Sequence, residues 1–477
     1  MIRMNRSDLF SLLPLLLIAG TSISVMLAIA TWRKHWLTLC MTLVGIAAAF
    51  GSLWLVAPLA PRRVTPLLIL DHYALFYFGL ITAATFAIAI LCYGYLQGHT
   101  ETREELYVLL LVAALGSMVL VASSHFVSFF LGLEILSVAL YAMSAYLHTR
   151  SRSLEAGIKY LILAGSSSAF LLFGMALIYA QLGTMDLFRL ATLLPDAQNS
   201  PLVLGGLAFI VTGIGFKLGV VPFHLWVPDV YEGAPAPVTA FLATVSKGAI
   251  FALLLRYFYS SGAQHFRPVF VLFAIIAIAS MLIGNLLALL QNNIKRILAY
   301  SSIAHMGYLL VAFEASSATA SEAVAFYLVA YFITTIGAFG VVTVLSEEER
   351  DADTLEDYAG LFWRRPMLAG ILTLMLLSLA GIPLTAGFLA KFYVVVAGAS
   401  AGIWALILIL VISSVIGLYY YLRVVVTMYA RVQGKEPHAE VHAIGGNYVL
   451  VALTILLVWL GVYPGPLVNV VRKVLPM

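Results

Sequence analysis

The sequence predicts an all-α polytopic membrane protein of about fourteen transmembrane helices, with two inverted five-helix repeats that each contain a broken helix. Three observations carry that prediction. The 477 residues are 62% hydrophobic and 10% charged, with a mean hydropathy of +1.02, which excludes a soluble globular protein. Apolar runs of about 20 residues recur between charged breaks, a length that suits helices rather than the short alternating strands of a barrel. Two of the runs, around Pro222 and Pro383, are interrupted five spans apart, the spacing expected of inverted repeats with an odd number of spans.

Taken in order, the spans are expected near 9–31, 36–57, 73–97, 106–122, 125–147, 155–182 and 202–229. They continue near 238–260, 268–291, 295–313, 321–345, 367–397, 402–430 and 447–470. This divides the chain into a three-helix segment (1–105), a first repeat of spans four to eight (106–262), a second of spans nine to thirteen (263–432), and a C-terminal span (433–477). Arg3 and Arg6 precede an apolar run from Leu9 to about Ala30, too long for a signal-peptide core, so it reads as an uncleaved first span. The side bearing Arg33, Lys34, Arg150, Arg152 and Arg296 is richer in basic residues than the side bearing Arg62, Arg63 and Arg189. It is expected to be cytoplasmic, with both termini on the far side. The longest polar connection, Ser346 to Pro366, reads as a solvated loop with a short surface element.

Several functions are disfavoured. Net charge is +4, small for this length, so no nucleic-acid partner is expected. Cys40 and Cys92 each stand alone in an apolar run, without the CxxC spacing of iron–sulfur or structural zinc sites. Neither GxxxxGK[ST] nor GxGxxG after a strand occurs, so energy from a nucleotide would have to arrive through another chain.

The stretch Gly213 to Phe251 concentrates the chemistry. Lys217 lies in an apolar run that Pro222 breaks; His224, Trp226, Pro228 and Asp229 follow, then a Gly/Pro-rich turn over Gly233 to Pro237, then Lys247 in a new apolar run. A helix starting near Val238 puts Lys247 roughly 14 Å deep, close to the bilayer middle. Placing a cation there costs about 2.5–3.5 kcal/mol, which makes it a functional candidate. The competing reading is snorkelling to the headgroups.

Other charges weigh differently. Glu134 shares a helix face with Ser137 and Tyr141; it is either a proton-transfer group or a protonated structural acid. Lys159 follows Glu155 by four residues, which suits a plain ion pair as well as a role in proton transfer. Lys295 and Arg296 stand at the start of the tenth span, with Arg296 as interface anchor. His305 sits further along among Ser301, Ser302 and Tyr308, either a satisfied core histidine or a proton relay. Lys391 follows the break at Gly381, Pro383 and Gly387, where freed backbone groups require protein or a hydrated cavity. Arg256 and Arg423, near span ends, are expected to snorkel.

If Glu134 and Lys217 approach to about 4 Å at an effective dielectric near 20, they attract by roughly 4 kcal/mol. Moving a charge against about 150 mV costs roughly 3.5 kcal/mol. Making and breaking such a pair is therefore of the right size to drive a proton across a membrane, with Lys247, His305 and Lys391 as relays.

The segments KLGVVPFHLWVPDVYEGAPAPVTAFLATVSKGA, NNIKRILAYSSIAHMGY and LSLAGIPLTAGFLAKFY resemble the antiporter-like membrane subunits of respiratory complex I, NADH:quinone oxidoreductase, over nearly the whole chain. Lysine at 391, where other types of the family carry an acid, makes the chain most similar to the bacterial N type. The resemblance implies a proton-translocating subunit of the bacterial inner membrane, assembled with other membrane-arm subunits. Glu134 and Lys217 would form the charged pair of the first half-channel, Lys247 the connecting lysine and Lys391 the terminal one. Lys159 and Lys295 match family lysines of less defined role, and His224 and His305 are secondary candidates. No cofactor is expected on this chain; flavin (FMN), iron–sulfur clusters and the quinone pocket are implied in partner subunits.

Rival readings are a cation/proton antiporter subunit of Mrp type and the membrane subunit of an energy-converting hydrogenase, which would share these motifs. Of another class are an intramembrane acyltransferase using His224 or His305, which needs an acid or amide beside the histidine, and a haem-binding reading of the two histidines.

Overall fold

Apolar helices dominate the computed structural model, which describes residues 5–97, 103–431 and 444–474. The first seven are α1 (Leu13–Thr31), α2 (His35–Val56), α3 (His72–Leu96), α4 (Glu105–Val121), α5 (Phe126–Ser144), α6 (Ser151–Leu182) and α7 (Pro201–Leu218). Then come α8 (Trp226–Gly233), α9 (Ala236–Ser261), α10 (Arg267–Leu289), α11 (Ile294–Glu314) and α12 (Ala318–Leu345). The chain closes with α13 (Pro366–Ala380), α14 (Ala386–Ser400), α15 (Trp404–Tyr429), α16 (Ile444–Val462) and α17 (Gly465–Val474). A small antiparallel pair, β1 (Arg62–Arg63) and β2 (Ile69–Leu70), precedes α3, with Arg62 opposite Leu70.

Twelve helices among the described residues are long and apolar enough to cross a membrane, and α4, α13 and α14 are shorter apolar helices. The expected count of about fourteen requires α4 as a span and α13 with α14 as the two pieces of one. The last expected span, 447–470, ends sooner: α16 stops at Val462 and α17 begins at Gly465, because Pro464 lacks the donor a continuing helix needs. The expected boundary at 432–433 lies outside the described residues.

Burial sorts the helices. The apolar cores of α9 and α11 are 100% buried, against 33% for α1 and α2. The central helices are thus screened from lipid by the outer ones, which lets them carry polar side chains that lipid would not tolerate.

Both expected breaks are present. α7 ends at Gly219, whose φ of 70° lets its N–H cap the carbonyls of Gly215 and Phe216. α13 ends likewise at Gly381, φ 85°, capping Leu377 and Ser378. A third irregularity was not visible in the sequence: α9 passes through a π-turn over Leu242–Ser246, immediately before Lys247. Such turns collect at functional positions.

Three expectations are corrected. The connection 346–366 is not simply solvated: Asp351 and Asp353 are each only 8% exposed. Asp351 is gripped by Lys295 at 2.7 Å, Arg150 at 3.0 Å and the Tyr95 hydroxyl at 2.6 Å. Burial pushes this carboxyl up, but the Lys295 charge and the hydrogen bonds from Lys295 and Tyr95, with the Arg150 charge, outweigh it and hold it below the usual carboxylate range. Arg256 does not snorkel. It is buried in a two-bonded pair with Asp71, both contacts 2.8 Å, over the Tyr73 ring. Nor does Arg423, which donates to the carbonyls of Leu289 and Gln291 at the end of α10, satisfying groups a helix terminus leaves open.

Candidate functional site: a polar line through the buried helices

Lys217 and Lys247 flank the first break from different helices. Lys217, in the last turn of α7, is 3% exposed and donates to Ser137 Oγ of α5 at 2.7 Å, with the Tyr141 ring 5.8 Å away. Glu134, on the same face of α5, is half-buried and accepts from Ser168 of α6. No ion pair within 4.0 Å joins Glu134 to Lys217 in this structure. Each is held instead by its own serine.

Lys247 is 1% exposed and donates to Ser302 Oγ of α11 at 2.7 Å, with its ammonium 5.5 Å from the Tyr231 ring centre. That ammonium stands 3.4 Å from where a side-chain carbon at Gly219 would lie. The left-handed turn ending α7 is therefore also the surface on which Lys247 rests. Tyr331 of α12 donates to the same Ser302 at 2.8 Å, and the Tyr231 hydroxyl lies at 3.5 Å.

One turn beyond Ser302 on α11, buried His305 continues the line. Its Nδ1 pairs with the Tyr327 hydroxyl at 2.7 Å and its Nε2 with Tyr421 at 3.3 Å; Tyr421 also meets Ser301. The adjacent Tyr420 donates to Asn285 Oδ1 at 2.9 Å, and Asn285 Nδ2 donates to Tyr308 at 2.9 Å. The Tyr308 ring lies 5.1 Å beneath the ammonium of Lys391. Lys391 donates to Ser414 Oγ at 2.7 Å and to the Ala380 carbonyl, at the second break, at 2.9 Å.

Hydroxyl groups both donate and accept, so a file of them can pass a proton by exchanging bonds. From Lys247 to Lys391 the groups are serine, histidine, tyrosine and asparagine: Ser302 and His305 stand one helical turn apart, Tyr421 and Tyr420 are chain neighbours, Tyr308 meets Lys391 through its ring, and the other steps are hydrogen bonds. The three lysines are buried among the helices, with Lys217 3%, Lys247 1% and Lys391 8% exposed.

The other site candidates lie off this line. Lys159 has a 40% exposed side chain and pairs with Glu155 at 2.7 Å and Asp229 at 2.9 Å. Lys295 is buried, bound to Asp351 and to the Ala234 carbonyl at 2.6 Å. Arg296 bridges Asp229 and Glu232. His224 is buried beside the first break, and among the described residues its Nδ1 has no hydrogen-bond partner.

Sequence reasoning found the lysines, Ser301, Ser302 and His305 but missed Tyr327, Tyr331, Tyr420, Tyr421, Asn285 and Ser414. A signal existed for some: Tyr327 and Tyr331 are four apart in a strongly apolar helix, so they share one face. Nothing local showed which partner they would meet.

Comparison with known proteins is consistent across sequence and structure. Residues 123–417 match the family model described as "NADH:quinone oxidoreductase/Mrp antiporter, TM". A relative from Nitrosospira multiformis, named NADH-quinone oxidoreductase subunit N, is 55% identical over 98% of this chain and 96% of its own. A chain of respiratory complex I from Thermus thermophilus, solved with bound aureothin, superposes with a TM-score of 0.82 at 32% identity, covering 96% of this chain and 98% of that one. A chain of the Mrp complex from Dietzia sp. gives a TM-score of 0.85 at 19% identity over 98% and 97% of the two chains, a likeness of fold alone.

Proposed function

Because the chain belongs to the NADH-quinone oxidoreductase subunit N family, within the wider group of antiporter-like membrane proteins, we propose that it moves protons along the buried line from Lys217 to Lys391. It acts as a multi-pass inner-membrane subunit of a hetero-oligomeric NADH:quinone oxidoreductase. The redox chemistry, with FMN, iron–sulfur clusters and quinone, falls to partner subunits, and this chain contributes proton transfer without a complete active site of its own.

The observation that carries the reading is the line of buried polar groups between Lys247 and Lys391, hydrogen-bonded in stretches and joined elsewhere by a helical turn or a ring contact. Glu134 and Lys217 act as the switch. Closed, the pair holds the Lys217 proton; open, with Lys217 turned to Ser137, less stabilises its charge and the proton is free to leave. Lys247 receives it beside the first break and hands it to Ser302, and the file through His305 and the tyrosines conducts it to Lys391. At the second break the carbonyl of Ala380 accepts from Lys391, so a group that the end of α13 leaves open meets a charge that lipid would exclude. The division into repeats at 106–262 and 263–432 accords with a break in each.

The test is NADH-driven proton uptake by inverted membrane vesicles containing the assembled complex, comparing wild type with Lys217→Ala and Lys247→Cys. Intact assembly with impaired uptake is expected; full uptake in both variants would overturn the assigned roles. An Mrp-type role would instead appear as sodium exchange driven by a pH gradient without NADH. The acyltransferase reading lacks support, since His305 is bonded to two phenols rather than to an acid or amide.

A further inference from the structure

Glu314 is a buried acid that the line described above does not use. It is the last residue of α11, 5% exposed, and among the described residues neither of its carboxylate oxygens has a hydrogen-bond partner. An ionised carboxyl so placed has lost its water and gained nothing in return, a cost of several kcal/mol. The carbonyl end of a helix adds an unfavourable field for a negative charge. Glutamate at this position is therefore poor structural material, whereas a proton-carrying acid has reason to be there.

Its position relative to the lysines is specific. Lys247 of α9 bonds Ser302 of α11, and further along both helices Tyr259 of α9 donates to the Phe313 carbonyl of α11 at 2.9 Å. The Tyr259 and Phe313 rings stack at 5.7 Å, and the Tyr259 hydroxyl is within electrostatic reach of Glu314. Twelve residues on one helix match eleven on the other, so α9 and α11 run in the same direction for about 17 Å, bridged at both ends by long side chains. They lead from the centre of the line to the membrane face opposite the one where Lys295 holds Asp351.

Resting on the proton-transfer reading, we propose that Glu314 is the proton-carrying residue that connects the central line to that opposite face. Its carboxyl O–H bond breaks toward water at the face, giving hydronium and a carboxylate. The carboxylate regains a proton from the central line, and charge is conserved over the cycle. Tyr259 is the positioning residue, tying the two helix ends together beside the acid.

The experiment uses the whole complex in inverted vesicles and compares wild type, Glu314→Gln, Glu314→Asp and Lys247→Cys for assembly and proton uptake per NADH oxidised. Expected are assembled complexes in which Glu314→Gln falls to the level of Lys247→Cys while Glu314→Asp recovers most of the wild-type uptake, a rescue that a packing role would not require. Wild-type uptake in Glu314→Gln with Lys247→Cys impaired would overturn this inference alone, and wild-type uptake in both would overturn the parent reading with it. Should Glu314→Gln fail to assemble, dicyclohexylcarbodiimide, which attacks protonated carboxyls in apolar surroundings, is applied to the wild-type complex. Modified Glu314 peptide with matching loss of uptake supports the proposal; loss of uptake without modification of Glu314 overturns it.

Discussion

Lys391 reaches back across the second break to donate to the carbonyl of Ala380, the last residue of α13, at 2.9 Å. A helix end leaves carbonyls open and carries a partial negative charge, so a cation there satisfies both. Gly381 makes the approach possible. With φ at 85°, a side-chain carbon on it would sit 2.9 Å from Lys391 Cδ. Gly381→Ala should therefore cost about 1–2 kcal/mol in backbone strain and push Lys391 from the break. A lower melting temperature of the purified complex together with reduced proton uptake would show both effects.

Ser302 is the one hydroxyl shared by Lys247 and Tyr331, at 2.7 and 2.8 Å. Ser302→Ala leaves both without that partner, a loss of about 1–3 kcal/mol, and interrupts the file before His305. Proton uptake should drop sharply with assembly retained. Tyr231→Phe, which removes only a 3.5 Å contact, should leave uptake close to wild type.

Asp351 binds Lys295, Arg150 and Tyr95, so it ties the 346–366 connection to α3, α6 and α11. Asp351→Asn strands buried Lys295, at about 3–5 kcal/mol, and should expose the connection to limited proteolysis.

The pH dependence of the same tie has a definite sign. Asp351 is held below its ordinary range in the folded chain, so its contribution is fully present above about pH 4. It disappears as pH falls through the lower folded-state value. Proteolysis of the connection should be constant from neutral pH down to about 4 and accelerate only below it; onset near neutrality would contradict the assignment.

Arg256 bonds Asp71 through two nitrogens, a fork that lysine cannot reproduce. Arg256→Ala should destabilise by about 3–5 kcal/mol through the uncompensated buried acid, and Arg256→Lys should recover only part of that. Thermal denaturation of the detergent-solubilised complex measures both.

The sequence by itself determined the membrane class, the helix count to within the shorter segments, the two breaks, and the place of Lys217, Lys247 and Lys391 beside them. Each follows from local properties: the length of an apolar run, the missing donor of proline, and a fixed rise per residue. Tertiary structure alone decided that Arg256 meets Asp71, that Asp351 turns inward, and that Tyr327, Tyr421 and Asn285 complete the file between Lys247 and Lys391. Those partners lie tens to hundreds of positions apart in the chain. What joins them is the closeness of packed helices, which a pattern of apolar residues along one helix does not encode.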